Sequence, residues 1–217
     1  TVTTARQVYT PQGGLTPERP APIGGASGTA DSLVLGYASV GGGTVAIVQT
    51  GTDSFSITDV GLASNAPTDS TQVVAWFDAA LPVPGGVGGT RLFATTDTGL
   101  VMCTPNADGD YDAVNVSSQV TQAEYIASGM TLFVSTDGAV YIAGLNSEGD
   151  VLTYVGTGGG AEFTMGFDRN LSDQDLAGQG LETPGFVGGL TSYVNPWNGL
   201  NIAGLDANGE VHTVWFA

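Results

Sequence analysis

The most regularly spaced oxygen-bearing side chains run from Thr104 to Asp112. There Thr104, Asn106, Asp108, Asp110 and Asp112 alternate with other residues around Gly109. Oxygens two residues apart, with a glycine at the bend, are what a Ca2+ loop requires, because the ion takes roughly six to eight oxygen ligands from a wrapped chain. Asn106, Asp108, Asp110 and Asp112 are the ligands this loop would supply, and Ca2+ is the one cofactor the sequence suggests. The same residues also suit an acidic hairpin turn that needs no ion. Thr104 stands where a first acidic ligand is expected, and no bidentate Glu follows.

A second constellation is Asn195, Trp197 and Asn198, in a stretch that also holds Pro196. An indole in a turn stacks on a sugar face, and flanking amides hydrogen-bond the hydroxyls. The alternative is a Trp folded onto neighbouring structure. Catalytic residue types are scarce elsewhere. His212 is the single histidine, whereas hydrolytic triads and most transition-metal sites draw on His, so it is expected to be structural or at the surface. Cys103 is expected in the core, Asp173 and Asp175 in a solvated loop, and Trp76 and Trp215 in core-facing strands.

These residues must be positioned by a chain of 217 residues with 34 glycines and a net charge of −17. Glycine at that frequency disfavours long helices, because it costs about 1 kcal/mol at each helical position. Twenty-one acidic residues face four arginines, Arg6, Arg19, Arg91 and Arg169, and there is no lysine. Binding to nucleic acid or anionic lipid through a basic surface is thereby disfavoured, since it needs several cations on one face. The apolar runs are far shorter than the roughly 20 residues of a membrane-spanning helix. One cysteine makes no internal disulfide.

The glycines recur in register. Segments 91–116, 131–156 and 191–216 align without gaps, each with a short apolar strand, a polar turn, a second strand, a sharp turn and an alternating third strand. The sharp turns read Asn106 to Asp110, Asn146 to Asp150 and Asp206 to Glu210, with glycine always at the fourth place. Glycine after Asp, Glu or Asn supplies the positive φ of a tight hairpin, and period-two alternation marks a half-buried strand. A looser copy covers 33–60, and extra strands are expected in 73–78 and 163–189.

In the run Ile142 to Val151 and its copy Ile202 to Val211, the chain resembles blade repeats of β-propellers found in large exported bacterial surface proteins and repeat lectins. The resemblance implies an all-β propeller, or partial propeller, of about four antiparallel meander blades over residues 32–217. It leaves residues 1–31 as an extended Pro/Gly-rich linker or a ring-closing strand. The loop at 104–112 is similar to calcium loops of integrin-type propeller repeats, and Thr95 to Gly99 is close to the Asp-box turn of sialidase-like propellers. A sialidase would need several arginines on a carboxylate, and this chain has too few.

The expected function is therefore a non-catalytic extracellular or cell-surface scaffold that binds protein or glycan, with other copies of itself or a larger assembly as partners. The alternative is a carbohydrate-active enzyme or calcium-dependent lectin with an axial acidic site drawn from Asp97, Asp137 and Asn198.

Overall fold

The computed structural model describes residues 33–40, 43–51, 54–59, 72–78, 80–81, 90–106, 111–187 and 189–216. Their strands are β1 (Leu33–Val40), β2 (Gly43–Gly51), β3 (Ser54–Asp59), β4 (Gln72–Phe77), β5 (Thr90–Thr96), β6 (Gly99–Pro105) and β7 (Tyr111–Asn115). They continue with β8 (Ser128–Val134), β9 (Val140–Leu145), β10 (Val151–Thr157), β11 (Thr164–Asn170), β12 (Thr191–Val194), β13 (Leu200–Leu205) and β14 (Val211–Phe216). The fold is all-β. Four antiparallel meanders follow in chain order, β1 to β3, β4 to β7, β8 to β11 and β12 to β14.

The first strand of each sheet borders the first strand of the next, β1 beside β4, β4 beside β8 and β8 beside β12. Gln72 Oε1 accepts from Met130 N at 2.7 Å between β4 and β8, and the Thr131 and Ser192 hydroxyls meet at 2.7 Å between β8 and β12. The described sheets do not close into a barrel or ring. Residues 1–31, expected as linker or closing strand, lie outside the described residues. No helix among the described residues is long and apolar enough to cross a membrane.

The third sheet is buried on both faces, which is why β9 and β10 read as nearly continuous apolar runs. One face packs Ile142, Leu152 and Tyr154 against Val74, Phe93 and Met102 of the second sheet. The other packs Phe133, Ala143, Leu145 and Val151 against Leu200, Ile202 and Val214 of the fourth. Between the second and third sheets a buried ion pair adds a polar latch. Arg91 Nη2 lies 3.2 Å from Asp78 Oδ2, the two residues are 2% and 4% exposed, and Asp78 Oδ2 also accepts from Gly160 N at 2.7 Å. Arg91 donates to Gly160 O and stands 4.6 Å above the Phe163 ring. Burial lowers the Arg91 pKa, and Asp78 works against that shift.

Segments 131–156 and 191–216 are structural equivalents sixty residues apart. Val134 pairs with Val140 and Leu145 with Val151, as Val194 pairs with Leu200 and Leu205 with Val211. The correspondence reaches upstream, because Ala127 N donates to Leu145 O and Val187 N to Leu205 O. Gly144 and Gly204 are glycine for want of space. A Cβ there would lie 2.3 Å from Ile126 Cγ2 and 2.6 Å from Phe186 Cδ1, respectively.

Segment 91–116 departs from the gapless repeat. It starts in the second strand of its sheet, since β4 pairs onto β5 and takes the first place. Its first hairpin leaves two residues between Thr96 and Gly99, where the other two leave five. Phe93 therefore pairs with Met102, whereas Phe133 pairs with Tyr141. A hairpin pattern fixes local pairing but not which edge receives a further strand.

Candidate functional site

The turn after β12 places all three residues of the expected ligand site. Asn195 Oδ1 accepts from Gly199 N at 2.7 Å, and Asn198 Oδ1 accepts from Thr136 N of the β8–β9 turn at 2.8 Å. Asn198 has φ 62°, matching Gly138 at φ 88° in the equivalent turn. Asn tolerates this left-handed conformation better than most residues. Both amide oxygens are thus engaged in holding turns together. Trp197, 78% exposed, is free of the core.

In the expected calcium loop, Asn106 Nδ2 donates to Asp112 Oδ1 at 3.1 Å. Asp108 and Asp110 lie outside the described residues.

Among the described residues, Asp206, Glu210 and His212 bring one ligand atom each within 4.8 Å of one another. Carboxylate and imidazole are donor types that hold divalent metals. Asp206, however, already has a local duty. Its Oδ1 accepts from Asn208 N and Glu210 N, both at 2.8 Å, while Oδ2 lies 3.2 Å from His212 Nε2. Asn146 does the same in the equivalent turn, where its Oδ1 accepts from Glu148 N and Asp150 N, both at 2.9 Å. The bond from Glu210 N is the main reason Asp206 titrates below the ordinary carboxylate value. The sequence signal for this cluster was present in the acidic turn followed two residues later by the single His.

The interior offers no ready nucleophile among its described titratable groups. Burial pushes the Cys103 thiol up to about 12, and likewise the Tyr154 hydroxyl, which is hydrogen-bonded to Ser117 Oγ and Glu124 O. Asp173 and Asp175 lie in a π-helical turn, Leu171–Leu176, where Asp173 N bonds Asn170 Oδ1 and Asp175 Oδ2 faces Arg169 Nη1 at 3.7 Å. Of the acids expected on an axis, Asp137 accepts from Ser135 Oγ in its own turn. Asp97 is exposed in the β5–β6 turn, one strand away from the first strand of its sheet. An open cleft of about 470 Å³ between the second, third and fourth sheets has Gln72, Asn146, Glu148 and Phe186 in its walls.

The largest anomaly is the outer face of the fourth sheet. Tyr193, Asn201 and Trp215 form one row across β12, β13 and β14, and Leu205 pairs with Val211 further along. Tyr193 is 52%, Leu205 48%, Val211 73% and Trp215 66% exposed. Trp215 was expected in the core, and its strand does alternate. It is exposed because no described sheet covers that side. Comparison with protein-family models and with curated proteins returned no match.

The positions on this outer face carry no acidic or basic side chain, in a chain that holds 21 acidic residues. The equivalent face of the third sheet, bearing Phe133, Leu145 and Val151, is the one that the fourth sheet covers.

Proposed function

We propose that the chain is a non-catalytic binding and assembly module of an extracellular or cell-surface kind, with its sheets arranged as successive blades of a propeller-like stack. The order of the first strands supports the stack, since each borders the next in chain order. The observation that carries the functional reading is the uncharged outer face of β12 to β14, where Tyr193, Leu205, Val211 and Trp215 all meet solvent. Large exposed apolar patches on soluble domains mark contact sites. Absence of lysine leaves few trypsin-like cleavage sites, which suits an exposed location.

Glycan contact through Trp197 is a second reading, favoured by the 78% exposure of that indole in a turn. A glycan array and a panel of chromogenic glycosides, esters and phosphoesters test both. The module reading expects no turnover on any substrate, and the glycan reading expects array signals that vanish in Trp197→Ala. Turnover that is lost in Asp206→Ala or Glu210→Ala would establish an enzyme instead.

A further inference from the structure

We infer that Asn208, at the tip of the β13–β14 hairpin, is a site of spontaneous backbone-assisted deamidation, and that Asn198, which also precedes a glycine, is held back from the same reaction by the fold. The inference is independent of the module reading above.

The chemistry starts from the sequence. Asn-Gly occurs twice, at Asn198-Gly199 and at Asn208-Gly209. In such a pair the glycine backbone nitrogen attacks the asparagine Cγ. A carbon–nitrogen bond forms, and Nδ2 leaves as ammonia with the proton that the backbone nitrogen gives up. Water then opens the five-membered imide at one of its two carbonyls. The product is Asp, or isoaspartate with the chain rerouted through Cβ. Nothing is oxidised or reduced, and water is the one co-reactant. Glycine favours the attack because it has no Cβ to crowd the ring and its backbone is the freest to turn. The other described asparagines precede residues with side chains, such as Val116, Leu171 and Ile202, or Pro196, which has no backbone N–H.

The two Asn-Gly pairs sit in opposite settings. Asn198 is fastened to a second sheet, its Oδ1 accepting from Thr136 N at 2.8 Å. Gly199, whose nitrogen would attack, is buried, and its N–H donates to Asn195 Oδ1 at 2.7 Å. A Cβ on Gly199 would lie 2.5 Å from Asn195 Nδ2, so the imide ring has little room there.

At the other pair each of these conditions is reversed. Asn208 and Gly209 are exposed, and a Cβ on Gly209 would meet nothing within 4 Å. Asn208 Nδ2 donates to Asp206 Oδ2 at 3.3 Å, and Gly209 N donates to Asp206 O at 3.0 Å. Both partners belong to one residue of the same turn, so a single opening of the tip frees the electrophile and the nucleophile together. Loop tips open at little cost in free energy, whereas freeing Asn198 requires separating the turns of two sheets. Conversion at Asn208 adds one negative charge to a chain already at −17, beside Asp206 and Glu210.

Incubating the full chain at mildly alkaline pH, well below its melting temperature, in water enriched in heavy oxygen tests the inference. Pepsin digestion in acid halts the reaction, and mass spectrometry then locates each new acid by its heavy oxygen. Isoaspartyl methyltransferase labelling reports the rerouted product. The expected result is conversion at Asn208 about ten-fold or more faster than at Asn198 in the folded chain, rising with pH. In the urea-unfolded chain the two rates should come within a few-fold of each other, because the fold is what separates them. A folded chain that converts Asn198 as fast as Asn208 overturns the inference. So does one in which Asn208 converts no faster than Asn115, or a contrast that persists undiminished in urea.

Discussion

Val151 and Val211 occupy the same register position in sheets sixty residues apart, yet Val151 is fully buried and Val211 is 73% exposed. Nothing in the local backbone explains the difference, since each pairs with a leucine across an identical hairpin. The difference lies one layer out, in whether a neighbouring sheet covers the face. The same pair of sheets reuses its small devices, a side-chain oxygen closing the turn at Asn146 and Asp206 and a glycine admitting Ile126 or Phe186.

The Arg91 and Asp78 pair makes the second and third sheets depend on one another. Removing one member of a buried pair leaves the other charge uncompensated, at a cost of about 3–5 kcal/mol. Arg91→Met should therefore lower the urea midpoint sharply. Arg91→Met combined with Asp78→Asn should recover part of the loss, because the remaining amide oxygen still accepts from Gly160 N. A double variant no better than the single would show that the pair is not what the single variant disrupts.

Gly144→Ala should destabilise by about 1–3 kcal/mol, the range for overpacking a filled interior, because the new methyl meets Ile126. Combining it with Ile126→Ala relieves the clash, so the two changes together should cost less than their sum. Gly149, at φ 90° with no atom within 4 Å of a Cβ, is glycine for backbone reasons, and trimming Ile126 should not rescue Gly149→Ala. Chemical denaturation of the three single and two double variants separates the two causes.

Asp206 gives the turn a pH dependence with a definite sign. Its folded-state pKa lies below the ordinary carboxylate value, chiefly through the Glu210 backbone N–H. Acid therefore protonates the unfolded chain first, and the contribution of Asp206 is complete above the ordinary value and lost as pH falls through the depressed one. Asp206→Asn keeps the acceptor geometry that Asn146 uses. The variant should match the parent near neutral pH, apart from the contact with His212, and should lose less stability in acid. Melting curves across the acidic range check this; parallel curves for the two proteins would argue against it.

Much of the sheet structure was legible in the residues. The turns at 146–150 and 206–210, their glycines and the flanking strands follow from alternation and turn chemistry, and the extra strands fall at 72–77 and 164–170. What was not legible depends on contacts between sheets. Alternation assigns Trp215 a face but cannot say whether that face is covered. The hairpin of 91–116 does not announce that β4 takes the first place in its sheet. The turn roles of Asn195 and Asn198 were equally hidden, because an amide serves a ligand or a turn alike and the backbone partners of their oxygens, Gly199 N and Thr136 N, are set by the three-dimensional arrangement.

The central claim, that the face of β12 to β14 is an open contact surface, is tested most directly by the fluorescence of Trp215. Trp76 and Trp197 are replaced by Phe, so that Trp215 is the single emitter. Acrylamide quenching is then measured in dilute solution. An indole quenched nearly as readily as free tryptophan is the expected result. An indole shielded from acrylamide in the folded chain would contradict it.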